Sequence, residues 1–444
     1  TELGQARIVG LSSMTEHASV VKRIIAEIRK ENPEAYIVWG GVHPIMDPED
    51  AIQHSDAICI NEGEYVFNEF VEKYIADKNF FDVPNFWFRK NAEIIRTPIR
   101  PLVTSEEMES LPHLLFAERE ILFKPGKGFK PLSVKDYLDL EVLTFHTIFT
   151  RGCPFKCTYC GNTKFLEIDK VYGRIRNPSV DYIINEVRQA LSKRPFIRQV
   201  LFHDDCMIAL PLETLEYFAK RWKEEIGLPF GVYGITPPHV TEDKIRVLVG
   251  GGMNRVRMGV QSGSDRILKF FKRPNRKNLI KDSSEILGLF NNRLSPPAFD
   301  IIVDIPIETQ EDIHNTLRLI NNLPRPFTLN VFSLRMIPNT ELGRQLAKMG
   351  EEIRGIEETF GTVAPTFANV LLFLVGTVHI PDRLFEYLLR FAKPFHESSR
   401  VFGPLIVLSS FLHFSKRAFD LIRKKDFSVF FGRAGWVLWR LGLI

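Results

Sequence analysis

Three cysteines crowd into the segment TRGCPFKCTYC: Cys153, Cys157 and Cys160, with three and then two residues between them. Three thiolates on one tight loop can ligate three corners of a cubane iron–sulfur cluster and leave the fourth iron open to a small molecule. A structural zinc site needs a fourth ligand, usually from a second Cys or His pair, and no such pair follows. The spacing therefore predicts a [4Fe–4S] centre on Cys153, Cys157 and Cys160 rather than zinc or incidental thiols. The whole chain holds five cysteines, an odd and sparse count that disfavours a secreted disulfide framework and fits a reducing cytoplasm.

Such a loop must be carried by a frame. Buried-strand patterns recur at 145–150, 199–203, 231–235, 255–260, 299–305 and 329–334, with amphipathic helices between them. Ser179 and Thr241 stand as N-caps, with acidic residues in the first turns that follow. Six strand–helix units in one register predict an open, partial (β/α)6 TIM-like barrel, whose chemistry belongs at the carboxyl ends of its strands. The cysteine loop follows the first of these strands. Ahead of the barrel, strands at 7–11, 36–39 and 57–60 alternate with helices at 20–29, 51–54 and 66–74, the order of a Rossmann-like parallel sheet. That sheet lacks the strands that would normally open it and the sequence has no initiator Met, so a truncated start is expected. Residues 79–137 are rich in Pro and turn residues, apart from a hairpin in PNFWFRKNAEIIRT. The last hundred residues show helical periodicity without strand alternation. The expected organisation is an α/β chain with a Rossmann-like domain at 1–78, a linker or cap at 79–140, the barrel at 141–345 and a helical region at 346–444.

Further motifs fall at the ends of later strands. VLFHDDCM places Asp204 and Asp205 past the second barrel strand, flanked by His203 and Cys206; RMGVQSGS ends the fourth with Gln261, Ser262, Gly263 and Ser264. FDIIVDIPIETQEDI carries Asp304 at the end of the fifth strand, and IPNTEL follows the sixth. In order, on successive strands and after the cysteine loop, these segments resemble the radical S-adenosylmethionine superfamily. The resemblance implies S-adenosylmethionine on the fourth iron and its cleavage to a 5′-deoxyadenosyl radical. It also implies a cofactor-side aromatic residue at Tyr159, and roles for Asp204, Asp205, Gln261 and Ser262 around S-adenosylmethionine. The family more often has Glu at the Gln261 position and Gly at that of Asp304.

The amino-terminal domain resembles the cobalamin-binding domain often fused before this barrel, through VGLSSMT, VWGGVHP and INEGEYVF. These segments place Ser12, Ser13 and Thr15, then Gly40, Gly41 and His43, then Glu62, Gly63 and Glu64 at three strand ends. Small residues there let a flat macrocycle approach the backbone. The Asp-x-His-x-x-Gly signature that supplies a lower cobalt ligand in other cobalamin proteins is not visible, and a lone His43 is more often a turn histidine than a ligand.

With 58 Lys plus Arg against 54 Asp plus Glu, no chain-wide basic field points to nucleic acid. After Ser415, however, seven basic residues face two acidic ones, together with Trp436 and Trp439. This pattern is shared by a peripheral membrane contact through the carboxyl-terminal region and by a packing helix with a solvated basic face. No secretory signal opens the sequence. The resemblance implies a cytoplasmic enzyme using a [4Fe–4S] cluster, S-adenosylmethionine and cobalamin, most simply for methyl transfer to an unactivated carbon. Its substrate would be a small molecule, apolar or lipid if the tail meets a membrane, and its electrons would come from a donor such as a flavodoxin or ferredoxin. A cobalamin-dependent cyclase or rearrangement enzyme and a non-catalytic sensor of cluster or cobalamin are the alternatives.

Overall fold

The structure, a computed structural model, describes residues 5–113, 120–141, 143–273, 277–351 and 363–424. The first sheet runs β1 (Ile8–Ser12), β2 (Tyr36–Gly40), β3 (Ala57–Cys59), β4 (Phe86–Lys90) and β5 (Glu93–Arg96), neighbours in that order. β1 to β3 are parallel; the β4–β5 hairpin joins antiparallel to β3. The sequence places this hairpin in the linker, yet it completes the sheet. Its alternation explains why: Phe86 and Phe88 project to one face, fully buried, and stack with Phe70 and with each other. On the opposite face the helix Ala18–Glu31 buries Val21, Ile25 and Ile28 at helical spacing. A short helix not visible in the sequence, Val42–Met46, leads into Pro48–His54, whose Asp47 cap accepts from Asp50 N.

A small hairpin, β6 (Ile121–Lys124) with β7 (Gly128–Pro131), precedes the second sheet. That sheet holds β8 (Thr144–Thr147), β9 (Gln199–Phe202), β10 (Phe230–Ile235), β11 (Met253–Gln261), β12 (Ala298–Val303) and β13 (Thr328–Ser333). All six are parallel and lie in sequence order, an open barrel with free edges at β8 and β13. Its outer face is closed by apolar helix stripes: Val180–Lys193 buries Val180, Ile183, Ile184, Val187 and Ala190, and Phe202, Phe218, Trp222 and Phe230 interlock edge to face beside it. Ser179 caps its helix by accepting from Tyr182 N at 3.1 Å. Thr241 occupies the expected N-cap position, but its side chain makes no cap bond.

The carboxyl-terminal region is helical: Phe367–Thr377, Asp382–Leu389 and Gly403–Arg423. The last of these turns Ser409, His413 and Leu421 inward. His413 Nε2 lies 3.2 Å from both the amide and the carbonyl of Leu329 on β13. Among the described residues, no helix is long and apolar enough to cross a membrane. Lys425, Arg433, Trp436, Trp439 and Arg440 lie outside the described residues.

The two sheets are tied together. Arg176, just ahead of the helix Val180–Lys193, donates to both oxygens of Glu62 at 2.8 and 3.2 Å, and Val103 N donates to Glu62 Oε2 at 2.7 Å. Arg151 beside the cysteine loop pairs with Glu64. From the other side Asn339 Nδ2 reaches the carbonyl of Met46 at 2.8 Å. The strand ends of the first sheet therefore face the mouth of the barrel.

Candidate active site

The chain leaves β8 through Phe149 and Thr150 and turns at Gly152, whose φ is +100°. A Cβ there would lie 2.4 Å from the carbonyl oxygen of Arg174, so glycine is required both by conformation and by space. Thr158, between the second and third cysteines, anchors the loop from two further elements: its amide donates to Phe271 O and its carbonyl accepts from Leu342 N, both at 2.9 Å. Leu342 belongs to the IPNTEL segment. The loop thus presents Cys153, Cys157 and Cys160 around one space of about 210 Å³, lined also by Asp205, Gly259 and Gln261.

Cys153 and Cys157 are buried and Cys160 half-buried. Burial pushes the Cys160 thiol up to about 12 and Cys153 further still. Thiols in such surroundings ionise only beside a cation, which is what iron would provide. Arg273 already contributes one positive charge: its Nη1 lies 3.4 Å from Cys157 Sγ, its Nη2 donates to Gly259 O at 3.0 Å, and its buried Nε has no partner. The donor set fits a cluster held by three thiolates. Tyr159 sits against Phe271 edge-on at 5.0 Å, and burial raises its hydroxyl well above the ordinary tyrosine value.

The two aspartates divide their work. Asp204 is buried and accepts from Phe149 N at 3.1 Å and from Thr150 Oγ1 at 2.6 Å, so its carboxylate joins the end of β9 to that of β8. Burial pushes it up to about 6 against those bonds. Asp205 faces the space and accepts from Tyr172 Oη at 2.9 Å. Gln261, with φ +71°, also faces it, whereas Ser262 is buried beside Thr316 and Ser264 and lies off the space. Of the flanking pair, Cys206 is packed at 3.7 Å from Thr236 Oγ1, and His203 turns into the barrel to meet His146 Nδ1 at 2.6 Å. Asp304 has φ +59°, a conformation Asp tolerates better than most residues, and its carboxylate accepts from Ala364 N and Asn369 Nδ2. The carboxyl-terminal helices make use of a side chain where glycine would leave nothing.

At the ends of β1 and β2, Gly41 has φ +86°, and a Cβ there would lie 2.7 Å from both Ser12 Oγ and Ser13 N. Ser13 Oγ accepts from Trp39 Nε1. Around them stand buried polar atoms without partners, Thr15 Oγ1, His43 Nδ1 and Asn61 Nδ2, a polar rim that fits a corrinoid's amide-bearing edge. His43 is only 3% exposed; its Nε2 is 2.9 Å from Asp50 Oδ2 and its ring packs on Trp39. Glu62 and Glu64 are engaged with Arg176 and Arg151, and Gly63 N-caps the helix Glu64–Ile75. The structure therefore places Ser12, Ser13, Gly40 and Gly41 together at the ends of β1 and β2, with Thr15 buried just beyond, while Glu62 and Glu64 serve the junction with the barrel. Tyr172, Arg273 and Asn61 were not singled out from the sequence; the first two reach the site from outside any recognised motif.

The Radical SAM superfamily profile matches residues 147–320, and the B12 binding domain profile matches residues 2–71. An uncharacterised methyltransferase of Pyrococcus horikoshii is 25% identical over 322 residues, covering 71% of this chain and 64% of that protein. The anaerobic magnesium-protoporphyrin IX monomethyl ester cyclase of Rubrivivax gelatinosus is 21% identical over 321 residues, covering 70% and 53%. This chain thus spans less than two thirds of either relative. Among solved structures, the radical S-adenosylmethionine methyltransferase TsrM of Kitasatospora setae superposes with a TM-score of 0.62 at 16% identity, covering 78% of this chain and 66% of that one. The cobalamin-dependent S-adenosylmethionine radical enzyme OxsB gives 0.55 at 17% identity, covering 80% and 48%. Both likenesses show the fold.

Proposed function

From the premise that the chain belongs to the cobalamin-binding-domain-containing family of radical S-adenosylmethionine enzymes, we propose that it transfers a methyl group to an unactivated carbon of a small molecule. When bound, the cluster supplies the electron for reductive cleavage of S-adenosylmethionine, and the corrinoid supplies a transferable methyl group. The observation that carries the reading is the meeting of the two strand-end loops: a Cβ on Gly161, next to Cys160, would lie 3.5 Å from Met46 Sδ of the first domain. Substrate held between them would reach both centres.

In this reading Cys153, Cys157 and Cys160 hold three irons, and Arg273 steadies the thiolate charge beside them. Tyr172 orients the Asp205 carboxylate toward the cofactor's polar end, and Gln261 offers an amide to its hydroxyls. Asp204 fixes the loop to the strand beneath it. Glu62 and Glu64 align the two domains, and Ser12, Ser13, Thr15, Gly40, Gly41, Gly63 and His43 shape the corrinoid crevice. The likeness to a ring-forming cyclase favours cyclisation as the second reading. Electrons come from an external small redox protein.

The test is anaerobic turnover of reconstituted, cobalamin-loaded protein, quantifying 5′-deoxyadenosine and methylated product together. Cleavage of S-adenosylmethionine without methylation of any substrate that it consumes would favour cyclisation. We infer a peripheral membrane contact as a separate proposal, from the outward apolar residues Val407, Phe411 and Phe419 on the helix Gly403–Arg423, Phe411 being 65% exposed. Equal co-sedimentation with anionic vesicles of the full chain and of a Val407→Ser, Phe411→Ser, Phe419→Ser variant would remove that part.

A further inference from the structure

The cysteine loop has a second face. Its inner side bounds the space shared by Cys153, Cys157 and Cys160, and its outer side forms one wall of a separate concavity of about 470 Å³. Pro154 and Lys156, both exposed, lie between the first two cysteines and line that wall. Thr163, in the same lining, reaches the third cysteine: its Oγ1 donates to Cys160 O at 2.8 Å. Lys170, Gly173 and Arg174 continue the wall from the turn Lys170–Gly173, which is itself bonded to the loop, Cys153 N donating to Tyr172 O at 3.1 Å. One thickness of backbone thus separates this outer concavity from the thiols.

The outer wall is basic. Lys156, Lys170 and Arg174 are exposed, and among the described residues no carboxylate pairs with any of them. The two carboxylates in the lining are already answered: Glu167 by Arg344 at 2.6 Å and Lys164 at 3.6 Å, and Glu341 by Lys272 at 2.5 Å. The neighbouring Asp169 accepts from Val171 N at 2.8 Å. Six cations therefore stand against three engaged carboxylates, a local excess in a chain whose 58 basic and 54 acidic residues nearly cancel. Such a patch steers and orients an acidic partner. Pro154 and Leu166 give it the small apolar centre that a protein interface needs inside a charged rim. No aromatic ring is among the lining residues, so a nucleic acid strand finds no stacking platform there.

We propose that this basic face behind the cysteine loop is the docking surface for an acidic one-electron carrier protein. The carrier loses one electron and the cluster gains it across the loop; no bond forms or breaks and no proton has to cross. The proposal rests on the cluster assignment given above and adds the side from which electrons enter. Full-length reconstituted protein is titrated by calorimetry with a flavodoxin, an acidic flavin carrier, at about 0.05 and about 0.5 M salt, and with the basic cytochrome c as a control. The proteins compared are wild type, the triple variant Lys156→Glu, Lys170→Glu, Arg174→Glu, the milder triple change of the same residues to Gln, and Lys220→Glu, Lys223→Glu on the distant helix Leu212–Glu225. Saturable flavodoxin binding that weakens with salt is expected, falling about tenfold or more in the triple Glu variant, less in the triple Gln variant and not at all in the distant variant. Cluster iron and melting temperature stay unchanged in all of them. Absence of saturable binding, indifference to salt, equal affinity in wild type and the triple Glu variant, or an equal loss in the distant variant overturns the proposal. Dithionite, which needs no docking, separates this from the catalytic reading. Cleavage of S-adenosylmethionine that survives in the triple Glu variant with dithionite but is lost with reduced flavodoxin supports the surface. Flavodoxin docking that persists while dithionite drives no cleavage in wild type supports the surface and refutes the catalytic reading.

Discussion

Glu62 sits at a strand end where a corrinoid-binding residue is expected, yet its carboxylate is bound by Arg176, by Val103 N and, at 3.7 Å, by Arg151. Both partners of the central pair are largely buried, with side-chain exposures of 7% for Arg176 and 15% for Glu62. Replacing Glu62 with Ala leaves a guanidinium desolvated without its counter-ion, which costs about 3–5 kcal/mol. Glu62→Gln keeps an acceptor for Arg176 and loses only the charge assistance, about 1 kcal/mol. The double variant Glu62→Ala, Arg176→Ala removes the stranded charge as well. It should be less damaging than the sum of the two single changes by about 2 kcal/mol. Differential scanning calorimetry of wild type and these four variants without cobalamin measures this coupling directly, and hydroxocobalamin titration separates it from any ligand contact. Additive single and double changes, or a loss of corrinoid affinity in Glu62→Gln with no loss of stability, would refute the assignment of Glu62 to the domain junction.

Single Ala replacements of Cys153, Cys157 or Cys160 should abolish cluster assembly while far-ultraviolet dichroism is retained, because the loop is held by Thr158, Gly152 and Asp204 rather than by the thiols; iron and sulfide assays decide it. Cobalamin bound to the first domain should show no nitrogen splitting from His43 in the electron paramagnetic resonance of its cob(II)alamin form, since that imidazole is buried against Trp39 and held by Asp50. Burial lowers His413 from 6.5 to about 4, so the unfolded chain takes up its proton first as pH falls. The stability it contributes is present above about pH 6.5 and is lost down to about pH 4, roughly 3 kcal/mol in all. His413→Gln should flatten melting temperature against pH over that window, and an unchanged slope would count against it.

Much of this architecture was legible because periodicity reports which face of an element is buried. The six barrel strands, the helix Val180–Lys193 with its Ser179 cap and the cysteine loop all carry strong local patterns. What periodicity does not report is which element a face meets. The Phe86 and Phe88 alternation marks a hairpin, but not that its partner is β3, some thirty residues back. Arg273 approaches Cys157 across 116 positions of sequence, and no spacing rule links them. Glu62 was legible as a polar residue at a strand end, and only the position of Arg176 shows that it is consumed there. Ser262 follows a Gln261 whose positive φ breaks the strand's alternation, so the sequence pattern alone does not report which way it turns.

A parallel sheet that stops at six strands ends in an unpaired row of amides and carbonyls, which can template pairing with another chain. On β13 this row is met not by a strand but by a helix, and at Leu329 the Nε2 of His413 stands between the amide and the carbonyl, accepting from the one or donating to the other according to its tautomer. That helix is translated some seventy residues after the strand it covers. A nascent chain therefore has its barrel strands complete while the edge of β13 is still bare, and the hazard of intermolecular pairing is greatest late in synthesis. Yield on expression should accordingly depend more on the residues that seat the helix Gly403–Arg423, such as His413 and Ser409, than on the apolar helices formed earlier.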